Sequence, residues 1–200
     1  TAWDTVNPYG STSGSIYQNL VCDKLYDRLA FIEEAGSGVS PRAAKSWESA
    51  DDGKAAIFHL DENAKWHDGQ PVTAKDWVFT AQLITNPKFD YGLRSEFNTW
   101  AGTDENGLET AEKSVGVEAV DDYTLKISFK NVTPVEDWLI LHNKYFYVLP
   151  EHLLGDIAPE KMKDDEFWKA PIGSGPCTFI SELSGDRKST RLNSSHTIGS

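Results

Sequence analysis

Hydrophobic and polar residues alternate in two separate stretches of the chain, and each stretch predicts a β-hairpin. Residues 115–119 and 125–129 carry an apolar side chain at every second position, around a turn at Asp121-Asp122. Residues 46–60 reverse at Asp51-Asp52-Gly53, and an Asp-Gly pair between apolar runs is typical of a hairpin turn. Because a period of two gives a strand one buried side, both hairpins predict antiparallel sheet.

Apolar residues recur at helical spacing between and around these hairpins. The clearest helix is predicted over 73–85, where Thr73 is an N-cap and Asp76 completes a capping box. A helix over 16–29 is predicted to begin at the N-cap Ser15. Shorter helices are predicted over 134–143 and after Pro150, and 172–180 is predicted to return as a strand. Helices mixed with antiparallel hairpins predict a mixed α/β (α+β) fold.

Composition narrows the class of protein. The 200 residues are 39% hydrophobic and include seven Trp, seven Tyr and nine Phe, which is enough for a packed core. The net charge of −12 argues against a nucleic-acid surface, since phosphate contacts need clustered Lys and Arg. No apolar run reaches the ~20 residues of a membrane helix. Cys22 and Cys177 are predicted to be two buried thiols in preference to a disulfide.

The two ends of the chain are unusual. It begins at Thr1, and its only methionine is Met162, so we expect a fragment or a mature form. Residues 186–196 are the in-frame translation of a common sequencing-library adapter, and they bring a basic, aperiodic stretch to an acidic chain. We therefore predict that 186–200 is a non-native, adapter-derived tail; the alternative is a natural polar tail.

No catalytic or metal-binding motif is apparent, so no catalytic residue, metal ligand or cofactor is predicted. The chain lacks a Gly-x-Ser-x-Gly elbow, a His-Glu-x-x-His helix and a Walker-type phosphate loop. His59 and His67 have no third metal ligand at a useful spacing. His67 followed by Asp68 could suggest a general base with its orienting carboxylate, but a structural turn is the favoured interpretation.

Five motifs occur in a fixed order along the chain. The most informative is Trp-His-Asp-Gly-Gln-Pro-Val-Thr-Ala-Lys-Asp at 66–76, and the others lie at 41–60, 115–129, 149–152 and 171–176. Over roughly residues 4 to 185, this series resembles the family 5 extracellular solute-binding proteins, the peptide- and nickel-type receptors of ABC importers. The motif at 173–176 departs from the family pattern, because Cys177 follows it where an aromatic residue is usual.

The resemblance implies a fold and a domain organisation. The expected fold is lobe I of a periplasmic-binding-protein-like type II architecture with an inserted subdomain, and the second lobe is missing from this N-terminal fragment. Residues 1–29 would be the first part of lobe I, and 30–147 the inserted subdomain. Residues 148–185 would continue lobe I, followed by the tail at 186–200.

The segment before the first helix is the candidate ligand-binding region. Hydroxyls and backbone N–H groups can meet a polar ligand without adding charge, and the resemblance implies that this segment faces the cleft between the lobes. The alternative is that it only caps the helix and forms a loop. A loop tryptophan is a further, weaker candidate. The candidate ligand-binding residues are Tyr9, Ser11, Thr12, Ser13, Ser15 and Trp100.

The function implied by the resemblance is that of a substrate-binding component of an ABC importer, not an enzyme. It would capture a small solute, foremost a di- or oligopeptide, and deliver it to a membrane permease. We expect a monomer in the cell envelope, periplasmic or lipid-anchored on the extracellular face, with no nucleic-acid partner. The alternatives are a secreted hydrolase or a carbohydrate-binding accessory module. Against the latter, aromatic residues fall at core spacing on predicted strands and helices, namely Trp47, Phe58, Trp66, Trp77 and Phe79.

Overall fold

The computed structural model describes residues 6–10, 15–33, 38–110 and 114–180, with the backbone of 193–194. The α-helices are α1 (Ile16–Leu25), α2 (Ala74–Thr85), α3 (Val135–Leu141) and α4 (Glu151–Leu154). The strands are β1 (Ala30–Ile32), β2 (Val39–Pro41), β3 (Ala44–Ala50), β4 (Ala55–Leu60), β5 (Val117–Asp121), β6 (Thr124–Ser128), β7 (Cys177–Thr178) and β8 (Asn193–Ser194). Short 3-10 helices lie at Asp51–Gly53, Arg94–Phe97, Asn143–Tyr145, Pro159–Asp164 and Glu166–Lys169.

Both predicted hairpins are confirmed, and they join into one sheet. Its four strands are all antiparallel and run in the order β3-β4-β6-β5. The first hairpin turns at the predicted Asp51–Gly53, where all three residues have positive φ. Glycine takes this conformation without strain, and aspartate is among the residues that tolerate it best. Two smaller antiparallel pairs, β1-β2 and β7-β8, lie outside this sheet.

Helix α2 begins where its capping box predicts. The Thr73 N–H donates to Asp76 Oδ2 at 2.8 Å, which holds the start of the helix. The other carboxylate oxygen, Oδ1, accepts from the Glu151 N–H at 3.0 Å, so the same side chain also fixes the start of α4. One turn later, Thr80 Oγ1 accepts from the Leu149 N–H at 2.9 Å. The cap therefore also positions the segment 149–151, which the capping-box motif alone does not predict.

An aromatic core lies between α2, α3 and the sheet. Trp77 is fully buried and packs edge-on against Phe146, with 5.2 Å between ring centroids. Trp138 on α3 packs near Phe58 on β4 at 6.2 Å. Of the five aromatics expected at core positions, Phe58, Trp66 and Trp77 are buried. Trp47 and Phe79 also pack against the core but are only partly buried. Trp47 lies opposite Phe58 on the edge strand β3, and Phe79 lines a groove between α2 and β5.

Helix α1 is shorter than predicted, and the side of the helix that packs against the core is not the side that carries Ile16 and Leu20. It ends at Leu25 rather than Leu29, because Tyr26 takes an extended conformation and its hydroxyl donates to the Val6 carbonyl at 3.0 Å. The buried side chains of α1 are Gln18, Cys22 and Leu25, whereas Ile16 and Leu20 are exposed. The helical spacing that includes Ile16 and Leu20 therefore does not mark the packed side of this helix.

The last described part of the chain is mostly irregular. The strand predicted over 172–180 is reduced to the two residues of β7, because a strand forms only where a neighbour pairs with it, and among the described residues only β8 does. Cys22 is a buried thiol and Cys177 a half-buried one. Across the residues that the structure describes, no helix is long and apolar enough to cross a membrane.

Candidate functional site

Tyr9 anchors the turn that leads into the predicted ligand-binding segment. Its side chain is fully buried, and its ring packs edge-on against Tyr91 at 5.0 Å. Its hydroxyl donates to the Tyr147 carbonyl at 2.7 Å and accepts from the Tyr147 N–H at 2.9 Å. Burial, reinforced by Tyr91, raises the pKa of Tyr9 well above its ordinary value, so the phenol stays neutral. In this structure Tyr9 is therefore a neutral part of the core.

Ser15 is the N-cap of α1, as predicted. Its hydroxyl accepts from the Gln18 N–H at 3.2 Å. The Gln18 side-chain amide in turn donates to the Asn7 carbonyl, and Asn7 Oδ1 accepts from the Tyr9 N–H at 2.9 Å. These bonds join the turn at 7–10 to the first turn of α1. The two ends of the predicted ligand-binding segment are thus fixed relative to each other.

Three of the candidate ligand-binding residues, Ser11, Thr12 and Ser13, lie outside the described residues. Their ligand contact stays a prediction. The described residues on both sides, Gly10 and Ser15, bound the stretch to which they belong.

Trp100 lies in the aromatic core. Its side chain has no exposed surface, and its ring packs against Phe97 at 4.6 Å, Phe146 at 5.2 Å and Trp138 at 6.2 Å. Since Tyr9 bonds to Tyr147, the neighbour of Phe146, both aromatic candidates contact the same short segment, 146–147. Contact between a ligand and the Trp100 ring would require this packing to open.

Sequence reasoning missed the exposed side of α1. Ile16, Tyr17 and Leu20 are 75%, 79% and 61% exposed. They share one side of the helix, because Leu20 lies four positions after Ile16 and three after Tyr17, and residues at these spacings are neighbours on a helix surface.

A network of charged groups holds the end of α1 against β1 and β2. Arg42 donates from Nε to Asp27 Oδ1 at 2.9 Å and from Nη2 to the Asp23 and Tyr26 carbonyls, each at 2.8 Å. Arg28 Nη2 lies 2.8 Å from Asp23 Oδ1. Burial raises the pKa of Asp27 above its ordinary value, although Arg42 opposes the shift. These contacts make α1 a firmly held element despite its exposed side.

The Trp-His-Asp-Gly motif forms a structural turn, as the favoured interpretation predicted. Gly173 N–H donates to His67 Nδ1 at 3.3 Å, so the proton lies on Nε2, which donates to the Gly175 carbonyl at 2.8 Å. Asp68 instead accepts from His152 Nε2 at 2.8 Å. Burial alone would raise the pKa of Asp68, but the bonds from His152 and the Gln70 N–H lower it. His67 and Asp68 therefore serve different partners and form no base–carboxylate pair with each other.

A separate groove of about 680 Å³ runs between α2 and β5. Val78 and Phe79 form an apolar part of the groove lining. The charged residues Lys75, Glu118 and Glu151 also line the groove. Lys75 is 3.7 Å from Asp122 and therefore already has an acidic partner. None of the described candidate ligand-binding residues, Tyr9, Ser15 and Trp100, lines this groove.

Comparison with known proteins gives a match over most of the chain. The model of the family described as "Bacterial extracellular solute-binding proteins, family 5 Middle" matches residues 38–183. The probable deoxycholate-binding periplasmic protein YgiS of Escherichia coli K12 is 30% identical over 152 residues, covering 74% of this chain and 26% of that protein. The periplasmic oligopeptide-binding protein OppA of the same organism is 33% identical over 139 residues, covering 66% and 23% respectively.

A solved structure agrees with these matches. The oligopeptide-binding protein AppA of Bacillus subtilis, in complex with a nonapeptide, is similar with a TM-score of 0.70 and 26% identity. The alignment covers 86% of this chain and 31% of that one, and it confirms the predicted periplasmic-binding-protein-like fold class. The chain spans about a quarter of the length of the curated relatives that it matches. These relatives are named as binding proteins and not as enzymes, in agreement with the expectation that the protein is not an enzyme.

Proposed function

Because the chain belongs to the family 5 bacterial extracellular solute-binding proteins, we propose that it is part of the substrate-binding component of an ABC importer. The protein captures a small solute, foremost a di- or oligopeptide, and delivers it to a membrane permease. The family match over 38–183 carries this proposal. The peptide class is supported by the similarity to the oligopeptide-binding proteins of Escherichia coli and Bacillus subtilis. The place of action is the cell envelope, and the protein acts as a monomer.

The proposed domain organisation is lobe I with an inserted subdomain at 30–147. The position of the four-stranded sheet supports it, because β3, β4, β5 and β6 all fall inside this range. The contact between α1 and β7 supports joining 1–29 with 148–185 in one lobe.

In this proposal, the ligand binds at the segment formed by residues 9–15. The hydroxyls of Ser11, Thr12, Ser13 and Ser15 supply uncharged hydrogen-bonding groups, and Tyr9 anchors the turn that precedes them in the chain. Trp100 contributes through the packing of the core that it shares with Phe146. Capture follows when a second lobe closes over the solute, since contacts with both lobes favour the closed state.

A ligand screen tests this function. The protein encoded by the complete gene is purified, and its melting temperature is measured with trialanine, a nonapeptide, deoxycholate and Ni(II)-histidine. Peptides are expected to raise the melting temperature, because a ligand that binds only the folded state stabilises it. Stabilisation by deoxycholate or Ni(II)-histidine alone would refute the peptide class and keep the receptor function. No stabilisation by any member of the panel would contradict both.

A further inference from the structure

A cavity of about 530 Å³ lies beside the loop that follows α2, and two basic side chains line it. They are Lys88, which is exposed, and Arg94, which is half-buried. The neutral polar residues Ser95 and Asn106 also contribute to the lining. Within the described part of the chain, neither Lys88 nor Arg94 forms an ion pair with an acidic side chain. The cavity therefore offers positive charge that the described residues leave uncompensated.

The guanidinium of Arg94 is held in place by the loop itself. Its Nε donates to the Tyr91 carbonyl at 3.0 Å, and its Nη2 donates to the Phe89 carbonyl. A guanidinium has five N–H donors in one plane, so three remain after these two bonds, and the neutral carbonyls leave its charge intact. A planar pair of such donors matches the two oxygens of a carboxylate. Arg94 is thus oriented by the loop and keeps the donors that a carboxylate needs.

The acidic side chains next to the cavity have partners of their own. Asp90 also lines the cavity, but its Oδ2 lies 3.1 Å from Lys163 Nζ. Glu96, the neighbour of Ser95, has its Oε2 3.3 Å from His142 Nδ1. Since the chain as a whole carries a net charge of −12, two basic side chains at one cavity are a local exception, and they favour a negatively charged group.

The cavity is joined to the proposed ligand-binding segment through described residues. Tyr91 lines the cavity, and its ring packs edge-on against the Tyr9 ring at 5.0 Å. Tyr9 belongs to the turn at 7–10, which leads directly into that segment. We infer that Arg94 and Lys88 bind the terminal carboxylate of the captured peptide in this cavity. This inference rests on the proposed function and specifies the solute class, peptides with a free carboxyl end.

Comparison of a peptide acid with its amide tests the carboxylate site. Dissociation constants of trialanine and trialanine amide are measured by calorimetry with the protein from the complete gene, because the two peptides differ in the carboxylate alone. The unmodified protein should bind trialanine at least tenfold more tightly, since hydrogen bonds between charged groups are the strong ones. Arg94→Gln should reduce this preference to less than twofold, and Lys88→Gln should reduce it at least threefold.

Lys65→Gln is the matched control for Lys88→Gln. Lys65 is also exposed and lies outside the cavity lining, so the substitution removes the same charge at another place and should leave the preference for trialanine unchanged. Lys88→Gln also guards against misfolding. Among the described residues, the Lys88 side chain makes no hydrogen bond, whereas Arg94→Gln removes two bonds to the loop. The melting temperature of the unliganded Lys88→Gln protein should therefore stay the same.

Three results would overturn the inference. Equal affinity of the unmodified protein for trialanine and its amide would do so and would keep the peptide-capturing function. A preference that survives both Arg94→Gln and Lys88→Gln would place the carboxylate elsewhere. A lower melting temperature of unliganded Lys88→Gln, with the preference unchanged, would mean that an acidic side chain of the rest of the longer polypeptide occupies the cavity. Binding of neither peptide by the unmodified protein, in contrast, would refute the proposed peptide function, and the inference would fall with it.

Discussion

Tyr9 and Tyr147 are joined by a reciprocal pair of hydrogen bonds across 138 positions of the chain. The Tyr9 hydroxyl donates to the Tyr147 carbonyl and accepts from the Tyr147 N–H, so it pairs with both backbone polar groups of this buried residue. The turn at 7–10 is thereby fixed to the segment that packs against Trp100. The base of the proposed ligand-binding segment is thus part of the folded core.

Tyr9→Phe tests this relationship. The ring is kept, but both polar groups of Tyr147 lose their partner, and an unpaired buried polar group costs about 1–3 kcal/mol. We expect the free energy of unfolding in urea to fall by about this amount. Tyr17→Phe is the matched control, because Tyr17 is 79% exposed and should change stability by less than about 0.5 kcal/mol. Equal effects of the two variants would contradict the account.

Asp76→Asn tests whether one carboxylate fixes the starts of both α2 and α4. The substitution keeps the size of the side chain but replaces one acceptor oxygen by an NH2 group that faces a backbone donor. The unfolding free energy should fall by about 1–3 kcal/mol, as measured by urea denaturation followed by circular dichroism. Asp122→Asn, on an exposed ion pair with Lys75, should have an effect of less than about 1 kcal/mol. A larger loss for Asp122→Asn would refute the double role of Asp76.

Gly173→Ala tests the close approach between the His67 turn and the end of α1. A β-carbon at this position would lie 1.9 Å from the Leu25 carbonyl oxygen, so the backbone would have to move. Overpacking of this kind typically costs about 1–3 kcal/mol, and we expect a corresponding fall in melting temperature. The same change at Gly92, where no atom lies within 4 Å of the new β-carbon, is the control. Equal melting temperatures for the two variants would show that 173–175 does not pack as described.

Trp77→Ala tests the aromatic core. Trp77 is fully buried against Phe146, and loss of a buried aromatic side chain costs about 3–5 kcal/mol. Trp47→Ala should cost less, because Trp47 is only partly buried. The loss of stability caused by each substitution is measured by differential scanning calorimetry. An unchanged midpoint for Trp77→Ala would contradict the packing of α2 on the core.

Local signals in the sequence predicted the local structure well. The hairpin turn at Asp51–Gly53 and the cap at Thr73 each depend on residues a few positions apart, and both appear where predicted. The end of α1 depends instead on Tyr26, whose hydroxyl reaches the distant Val6 carbonyl. The sequence contains no local signal for such a contact.

The distinction between features set by nearby residues and features set by distant contacts also applies to the candidate site. The N-cap role of Ser15 is local and was predictable. The burial of Tyr9 depends on Tyr147, and the burial of Trp100 depends on Phe146 and Trp138, which lie far away in sequence. The exposed side of α1 was misjudged because a short helix of mixed polarity has no strong periodicity, and which side packs is decided by the neighbours that it meets.

Calorimetric titration of the protein from the complete gene with trialanine tests the central claim most directly. The account predicts saturable binding of one peptide per protein molecule, with no cleavage of the peptide detected by mass spectrometry afterwards. Absence of binding heat at millimolar peptide, or recovery of hydrolysed peptide, would contradict the assignment as a peptide-capturing receptor.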